Sequence, residues 1–297
     1  MDGGACRRAL GRGLAIVLAI AAAGISGTSG GSTPPARAAA DQDEGLPPVQ
    51  TGPIVISDVP YAQHDGEMLS LDVYRMEDPR PAPGLVLVHG GSWRRRSKEV
   101  WSTLASLYAR EGYVVFAIDY RLAPPGGDTR FPDPARDVET AVDWVRRNAE
   151  TYGVDAGRVA VAGSSAGGQL ALMAATSETL RPDAVVLFSA PIDLERLHRE
   201  GILTGPIENY LGCSPELCPD TYRRTSGRRA VDAATPPMLV AFSRYELIPR
   251  DQPRRLVKRL ETFGLTYETV ELGGTRHGMS VASATFDETV RFLDRTL

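Results

Sequence analysis

Ser165 stands at the centre of Gly163-Ser164-Ser165-Ala166-Gly167-Gly168, with one glycine two places before it and another two places after. The apolar run Val159 to Ala162 precedes this stretch and the helix formers Gln169 to Ala175 follow it, so the spacing predicts a sharp strand-to-helix turn. The glycines let the backbone fold tightly around one side chain, whose hydroxyl then projects above the sheet as a candidate nucleophile. Ser164, off the centre of the spacing, reads as a turn residue. A helix beginning near Ala166 would leave the N–H groups of its first turn unpaired beside Ser165, where they favour developing negative charge. Nucleophilic catalysis then needs a base, an acid to orient it and a second oxyanion donor.

Ligands of an open α/β sheet bind outside the carboxyl ends of its strands, so polar residues just after strands are the candidates for these roles. After Leu85 to Val88 comes His89-Gly90-Gly91-Ser92-Trp93, in which residues without side chains let backbone N–H groups approach a ligand. Gly90, Gly91 and Ala166 are therefore the candidate oxyanion hole; the alternative is a glycine turn with His89 as a packing residue. Arg276-His277-Gly278 follows the last predicted strand and makes His277 the candidate base, since an imidazole titrates near neutrality and can take and return a proton. The other histidines are worse placed: His64 in a hairpin, His89 in the glycine loop and His198 in an irregular segment. Glu246 is the first carboxylate after the strand Met238 to Phe242, and a buried carboxylate there would hold the imidazole in one tautomer. Asp251 is the second candidate, although the adjoining Gln252 and Pro253 suggest the start of a helix.

The elements that must position these residues alternate. Ile54 to Val59 and Met68 to Tyr74, with His64-Asp65-Gly66 between, predict an antiparallel hairpin. Continuous apolar runs follow at Leu85 to Val88, Val114 to Ile118, Val159 to Ala162, Val185 to Phe188, Met238 to Phe242 and Tyr267 to Leu272. Such runs imply strands buried on both faces of a parallel sheet. Helical periodicity lies between them, as in Val100, Leu104, Leu107 and Tyr108 before Gly112, and in Val138, Ala141, Val142 and Val145 before Gly153. The predicted fold class is α/β, a mostly parallel doubly wound sheet. Residues 195–237 break the alternation; they read as a lid insertion over the strand ends, with a surface excursion as the alternative.

The first forty of the 297 residues differ in kind. Arg7, Arg8 and Arg12 precede the apolar run Leu14 to Ala23, and small residues ending in Ala38-Ala39-Ala40 precede Asp41. This pattern predicts a signal peptide over 1–40, of twin-arginine type from the Arg7-Arg8 pair, followed by a flexible lead over 41–53 and a domain over 54–297. An apolar run this short falls below the roughly 20 residues of a spanning helix, although an uncleaved anchor is the alternative. Cleavage would remove four of the 33 basic and one of the 37 acidic residues, leaving a net charge of −7. A secreted, mildly acidic chain has no nucleic-acid footprint. It would also lose Cys6, leaving Cys213 and Cys218 as an even pair in an oxidising compartment, where a disulfide is expected. Its short loop constrains the unfolded chain by only about 2 kcal/mol. No HExxH stretch occurs, and the two cysteines lack zinc spacing, so no metal is expected.

Taken together, HGGSW at 89–93, Asp119-Tyr120-Arg121-Leu122-Ala123-Pro124, Phe131-Pro132, Asp137 and GSSAGG at 163–168 resemble the α/β-hydrolase superfamily. Within it they resemble the carboxylesterases related to hormone-sensitive lipase and the feruloyl and acetyl-xylan esterase group, over about Val59 to Leu297. The resemblance implies Ser165 as nucleophile, His277 as base, an acid after the seventh strand, oxyanion donors from Gly90, Gly91 and Ala166, and no cofactor. Ser243 stands where relatives carry glycine and Glu246 where they carry Asp, so the acid is the point of departure. The expected activity is hydrolysis of a small-molecule or carbohydrate-linked carboxylic ester through an acyl-enzyme. The alternatives are an amide hydrolase resembling kynurenine formamidase, a transacylase, or a binding protein on a hydrolase fold.

Overall fold

The computed structural model describes residues 52–297 apart from Asp65 and Pro79; the predicted signal peptide, 1–40, and the predicted lead from 41 to 51 lie outside the described residues. Eight strands form one sheet: β1 (Ile54–His64), β2 (Glu67–Arg75), β3 (Ala82–Val88), β4 (Val114–Ile118), β5 (Val154–Ser164), β6 (Ala184–Phe188), β7 (Met238–Ser243) and β8 (Tyr267–Leu272). Their order is β1-β2-β4-β3-β5-β6-β7-β8. β1 and β2 form the expected antiparallel hairpin, β2 meets β4 antiparallel, and all pairings from β4 to β8 are parallel.

Period-two alternation explains the continuous apolar runs. Val86 and Val88 enter the core on one face of the sheet, while Leu85 and Leu87 enter the core on the other. Phe116 and Val115, or Val240 and Leu239, divide in the same way. Each face is covered by helices. α1 (Ser102–Arg110) follows β3, and α2 (Asp133–Arg147) with the short α3 (Ala149–Tyr152) follows β4. α4 (Ala166–Ala175) follows β5 without a loop residue other than Ser165. In α2 the predicted residues Val138, Ala141, Val142 and Val145 are all buried. In α1 the buried face is Leu104, Ala105, Tyr108 and Ala109, and Leu107 turns to solvent.

β8 departs from expectation. Its sequence run was read as buried on both faces, yet none of its residues is buried. As the outer strand it pairs with β7 alone, and Glu268 and Glu271 answer to Arg295 and to Arg244 and Arg254. Charge on an outer strand discourages pairing with another chain.

Residues 195–237 are not irregular. They hold most of α5 (Leu194–Arg199) and all of α6 (Thr204–Leu211), α7 (Pro219–Arg224) and α8 (Gly227–Ala230), with Leu197, Ile207, Tyr210, Leu211 and Tyr222 in the main core. The Cys213–Cys218 disulfide closes the turn between α6 and α7, and the Tyr222 hydroxyl donates to the Cys213 carbonyl at 3.0 Å. α9 (Asp251–Thr262) joins β7 to β8, and α10 (Met279–Ala284) and α11 (Phe286–Thr296) complete the chain. Among the described residues no helix is long and apolar enough to cross a membrane.

Candidate active site

Strand order brings the carboxyl ends of β3, β5, β6 and β7 side by side, and the site forms there. Ser165 occupies the single step between β5 and α4 with φ 54° and ψ −119°, a conformation costly for a residue with a side chain. Hydrogen bonds hold it in place. Its N–H donates to the Phe188 carbonyl at 2.8 Å, and its own carbonyl accepts from the Gln169 N–H at 3.1 Å.

The first glycine after Ser165 has a specific steric cause. A Cβ on Gly167 would fall inside the contact distance of the Val88 and His89 carbonyl oxygens, so only glycine lets α4 start against the end of β3. Gly90 is similarly confined from the other side: a Cβ there would sit 2.8 Å from the Ser164 carbonyl oxygen and 3.2 Å from Ser165 Cβ. Two backbones thus touch where a ligand's oxygen would need N–H donors from both. Gly90→Ala is expected to push the loop away from Ser165 and cost about 10²–10³ in kcat, the effect of losing one oxyanion donor. Steady-state kinetics on the variant, beside its thermal midpoint, measures this.

His277 lies in the connection from β8 to α10, half-exposed, with Nε2 2.9 Å from Ser165 Oγ. Its Nδ1 is 2.5 Å from Glu246 Oε2, and the Glu246 side chain is fully buried. The other carboxylate oxygen, Oε1, accepts the Ser243 N–H at 2.8 Å. An ionised carboxylate only accepts, so Nδ1 carries the imidazole proton and Nε2 offers its lone pair to the Ser165 hydroxyl. Glu246, His277 and Ser165 form one continuous hydrogen-bonded line from the core to the surface. Asp251 is elsewhere: it begins α9 and pairs with Arg196 at 2.8 Å and Arg255 at 3.1 Å.

Residues 71–260 match the BD-FAE family model. The chain belongs to the BD-FAE family, an α/β-hydrolase esterase family. Esterase LipC of Mycobacterium tuberculosis is 32% identical over 232 residues, a match covering 71% of this chain and 57% of LipC, so the chain spans little more than half of that relative's length. Among solved structures, the acetyl ester-xyloside bifunctional hydrolase of Caldicellulosiruptor lactoaceticus is similar with a TM-score of 0.69 at 22% identity, covering 85% of this chain and 97% of that one. Thermogutta terrifontis esterase 2 phosphonylated by sarin is similar with a TM-score of 0.68 at 22% identity, covering 84% and 95%. At these identities the structural likeness shows the α/β-hydrolase fold.

Other residues that resemble the family brace the BD-FAE site from behind. His89 is fully buried and its ring stacks on Tyr120 with centroids 4.3 Å apart. Burial pushes its imidazole below the ordinary value, which keeps it neutral, and Nδ1 donates to the Gly90 carbonyl at 2.7 Å. Carbonyl and N–H of a trans peptide point in opposite directions, so this bond turns the Gly91 N–H away from the His89 ring. The Tyr120 hydroxyl donates to the His89 carbonyl at 3.1 Å and the Ala123 N–H to the Trp93 carbonyl at 2.7 Å. Arg121 grips the fully buried Asp137 through Nε and Nη2, at 2.9 and 2.7 Å.

Trp93 ties in residues 195–237. Its indole N–H donates to Gln169 of α4 at 3.1 Å, and Tyr210 of α6 stacks on it at 4.9 Å between centroids. At its far end the same loop is anchored by Lys98, whose ammonium meets Asp58 at 2.7 Å, Asp119 at 3.3 Å and Asp72 at 3.6 Å. Burial works against this charge, but the three carboxylates outweigh it and hold the Lys98 pKa above its ordinary value.

A cavity of about 250 Å³ opens at Ser165 and His277, with Gly90 and Gly91 in its wall. None of residues 195–237 lines it. Sequence reasoning missed several residues at this site, among them Met279 and Ser280 in the cavity wall. Arg95, Arg96 and Leu247 line the cavity, and Ser189, just past β6, accepts the Gly278 N–H on its Oγ at 2.9 Å and so steadies the residue after His277. The signal that could have found Ser189 is the one used for His277, a polar residue directly after an apolar strand. Among the described residues no three His, Cys, Asp or Glu side chains gather as a metal ion would require.

Proposed function

We propose that this chain hydrolyses carboxylic esters through an acyl-enzyme on Ser165. The observation that carries this reading is the unbroken line from buried Glu246 through His277 to Ser165 Oγ. His277 Nε2 takes the Ser165 proton as Oγ attacks the ester carbonyl, and the N–H groups of Ala166 and the Gly90-Gly91 loop hold the resulting oxyanion. Collapse breaks the bond to the alcohol, which leaves with the proton from His277. Water then gives its proton to Nε2, attacks the acyl carbon and frees the acid, restoring the serine. Glu246 accepts from Nδ1 throughout and stabilises the imidazolium that forms in each half-reaction. The esterases among its relatives support an ester over an amide.

Labelling with a fluorophosphonate probe followed by peptide mapping tests this reading. Label confined to the peptide carrying Ser165, and absent from Ser165→Ala, is the expected result; a folded protein that takes no label overturns it. A small-molecule or carbohydrate-linked ester is the proposed substrate class, and turnover of matched esters and amides, with and without an alcohol acceptor, separates hydrolase from amidase and transacylase. Secretion is inferred from residues 1–40, and N-terminal sequencing of exported protein is expected to begin at Asp41.

A further inference from the structure

Two arginines stand at the cavity beside Ser165. Arg95 and Arg96 line it, both side chains are exposed, and none of the described lining residues is acidic. Among the described residues neither guanidinium forms an ion pair, so both charges are free to meet an anion, unlike Arg147, Arg158 and Arg244, whose charges are met by neighbouring carboxylates. The two are held against the Gly90-Gly91 loop. The Arg95 carbonyl fills the space that a Cβ on Gly91 would need, and Arg96 Cγ lies 3.2 Å from that same point. Arg96 keeps a φ of 78°, a left-handed conformation unfavourable for a long side chain, and such strain collects where a residue's position matters for binding. Leu247, half-exposed, supplies an apolar part of the same cavity wall.

We propose that Arg95 and Arg96 form an anion-recognising subsite, so that the ester taken by this cavity carries a carboxylate, sulfate or phosphate group near its scissile carbonyl. A guanidinium presents fixed N–H donors that match such groups in pairs, and a cavity lined by charge of one sign raises the local concentration of its counter-charge. This inference rests on the ester-hydrolase reading above and adds the charge of the substrate to it.

Two matched pairs of esters test it and locate the anion. 4-Nitrophenyl hydrogen adipate against 4-nitrophenyl hexanoate places a carboxylate on the acid side; 4-acetoxybenzoate against 4-acetoxybenzamide places it on the alcohol side. In at least one pair the anionic member is expected to have the higher kcat/KM by roughly five- to tenfold at low salt, a preference that falls as salt screens it. Arg95→Gln/Arg96→Gln is expected to bring that ratio to about one, and Arg95→Lys/Arg96→Lys to restore part of it. Should the double glutamine variant fail to fold, Arg95→Gln alone and Arg96→Gly, which suits the positive φ, each lower the ratio. A wild-type preference for the neutral member in both pairs, or a ratio unchanged in the folded variants, overturns the subsite. If no member of either pair is turned over and Ser165 takes no fluorophosphonate label, the ester-hydrolase reading itself has failed.

Discussion

Ser165→Ala is expected to lower kcat on a simple acyl ester by about a million-fold, leaving only what the oxyanion donors and binding supply. The fold should be unaffected for a local reason. Among the described residues Ser165 Oγ has one hydrogen-bond partner, His277 Nε2, while the bonds that hold the turn run through its backbone to Phe188 and Gln169. Alanine tolerates the positive φ no better and no worse than serine, so the thermal midpoint should stay within a few degrees of wild type. Kinetics and a thermal melt on the same preparation check both statements. Activity within tenfold of wild type would move the nucleophile elsewhere, with the adjacent Ser164 first in question.

Glu246→Gln carries the second large effect, a loss of about 10⁴ in kcat. The carboxylate serves two donors at once, Ser243 N–H on one oxygen and His277 Nδ1–H on the other. A glutamine has one oxygen and one NH₂ group. If its oxygen faces Ser243, the NH₂ meets Nδ1 and selects the tautomer with the proton on Nε2, which cannot accept from Ser165. If its oxygen faces His277, the NH₂ opposes the Ser243 N–H in a fully buried place, and an unmade buried hydrogen bond costs about 1–3 kcal/mol. Either arrangement disables the imidazole or strains the loop after β7. Asp251→Asn, by contrast, breaks only exposed pairs with Arg196 and Arg255 and should change kcat little. A reversal of these two outcomes would make Asp251 the acid.

Because Glu246, His277 and Ser165 come from three connections, 31 and 112 residues apart along the chain, their meeting depends on the whole sheet. The elements themselves were legible beforehand. Hydrophobic runs located β3, β4, β6 and β7 to within three residues at each end, and the central part of β5, which begins earlier, at Val154; the glycine spacing placed a turn at Ser165, because strand burial and tight turns leave short-range marks in residue type. β8 was located correctly but read as buried, since an apolar residue at every second or third place looks alike in an inner strand and in an outer one. Only the pairing order distinguishes them.

The same division runs through the site. Residue types and local spacing by themselves determined that Ser165 would stand in a strained turn, that Gly90 and Gly91 would offer bare backbone, and that His277 and Glu246 would follow strands. The tertiary structure alone decided the rest: that Glu246 reaches His277 while Asp251 serves α9, that Tyr210 clamps Trp93, that Ser189 steadies Gly278, and that Arg95 and Arg96 line the cavity. The physical reason is range. Backbone strain and burial periodicity act over a few residues and are written in them, whereas which side chains converge is set by the order in which distant strands pair, and that order is a property of the packed sheet as a whole.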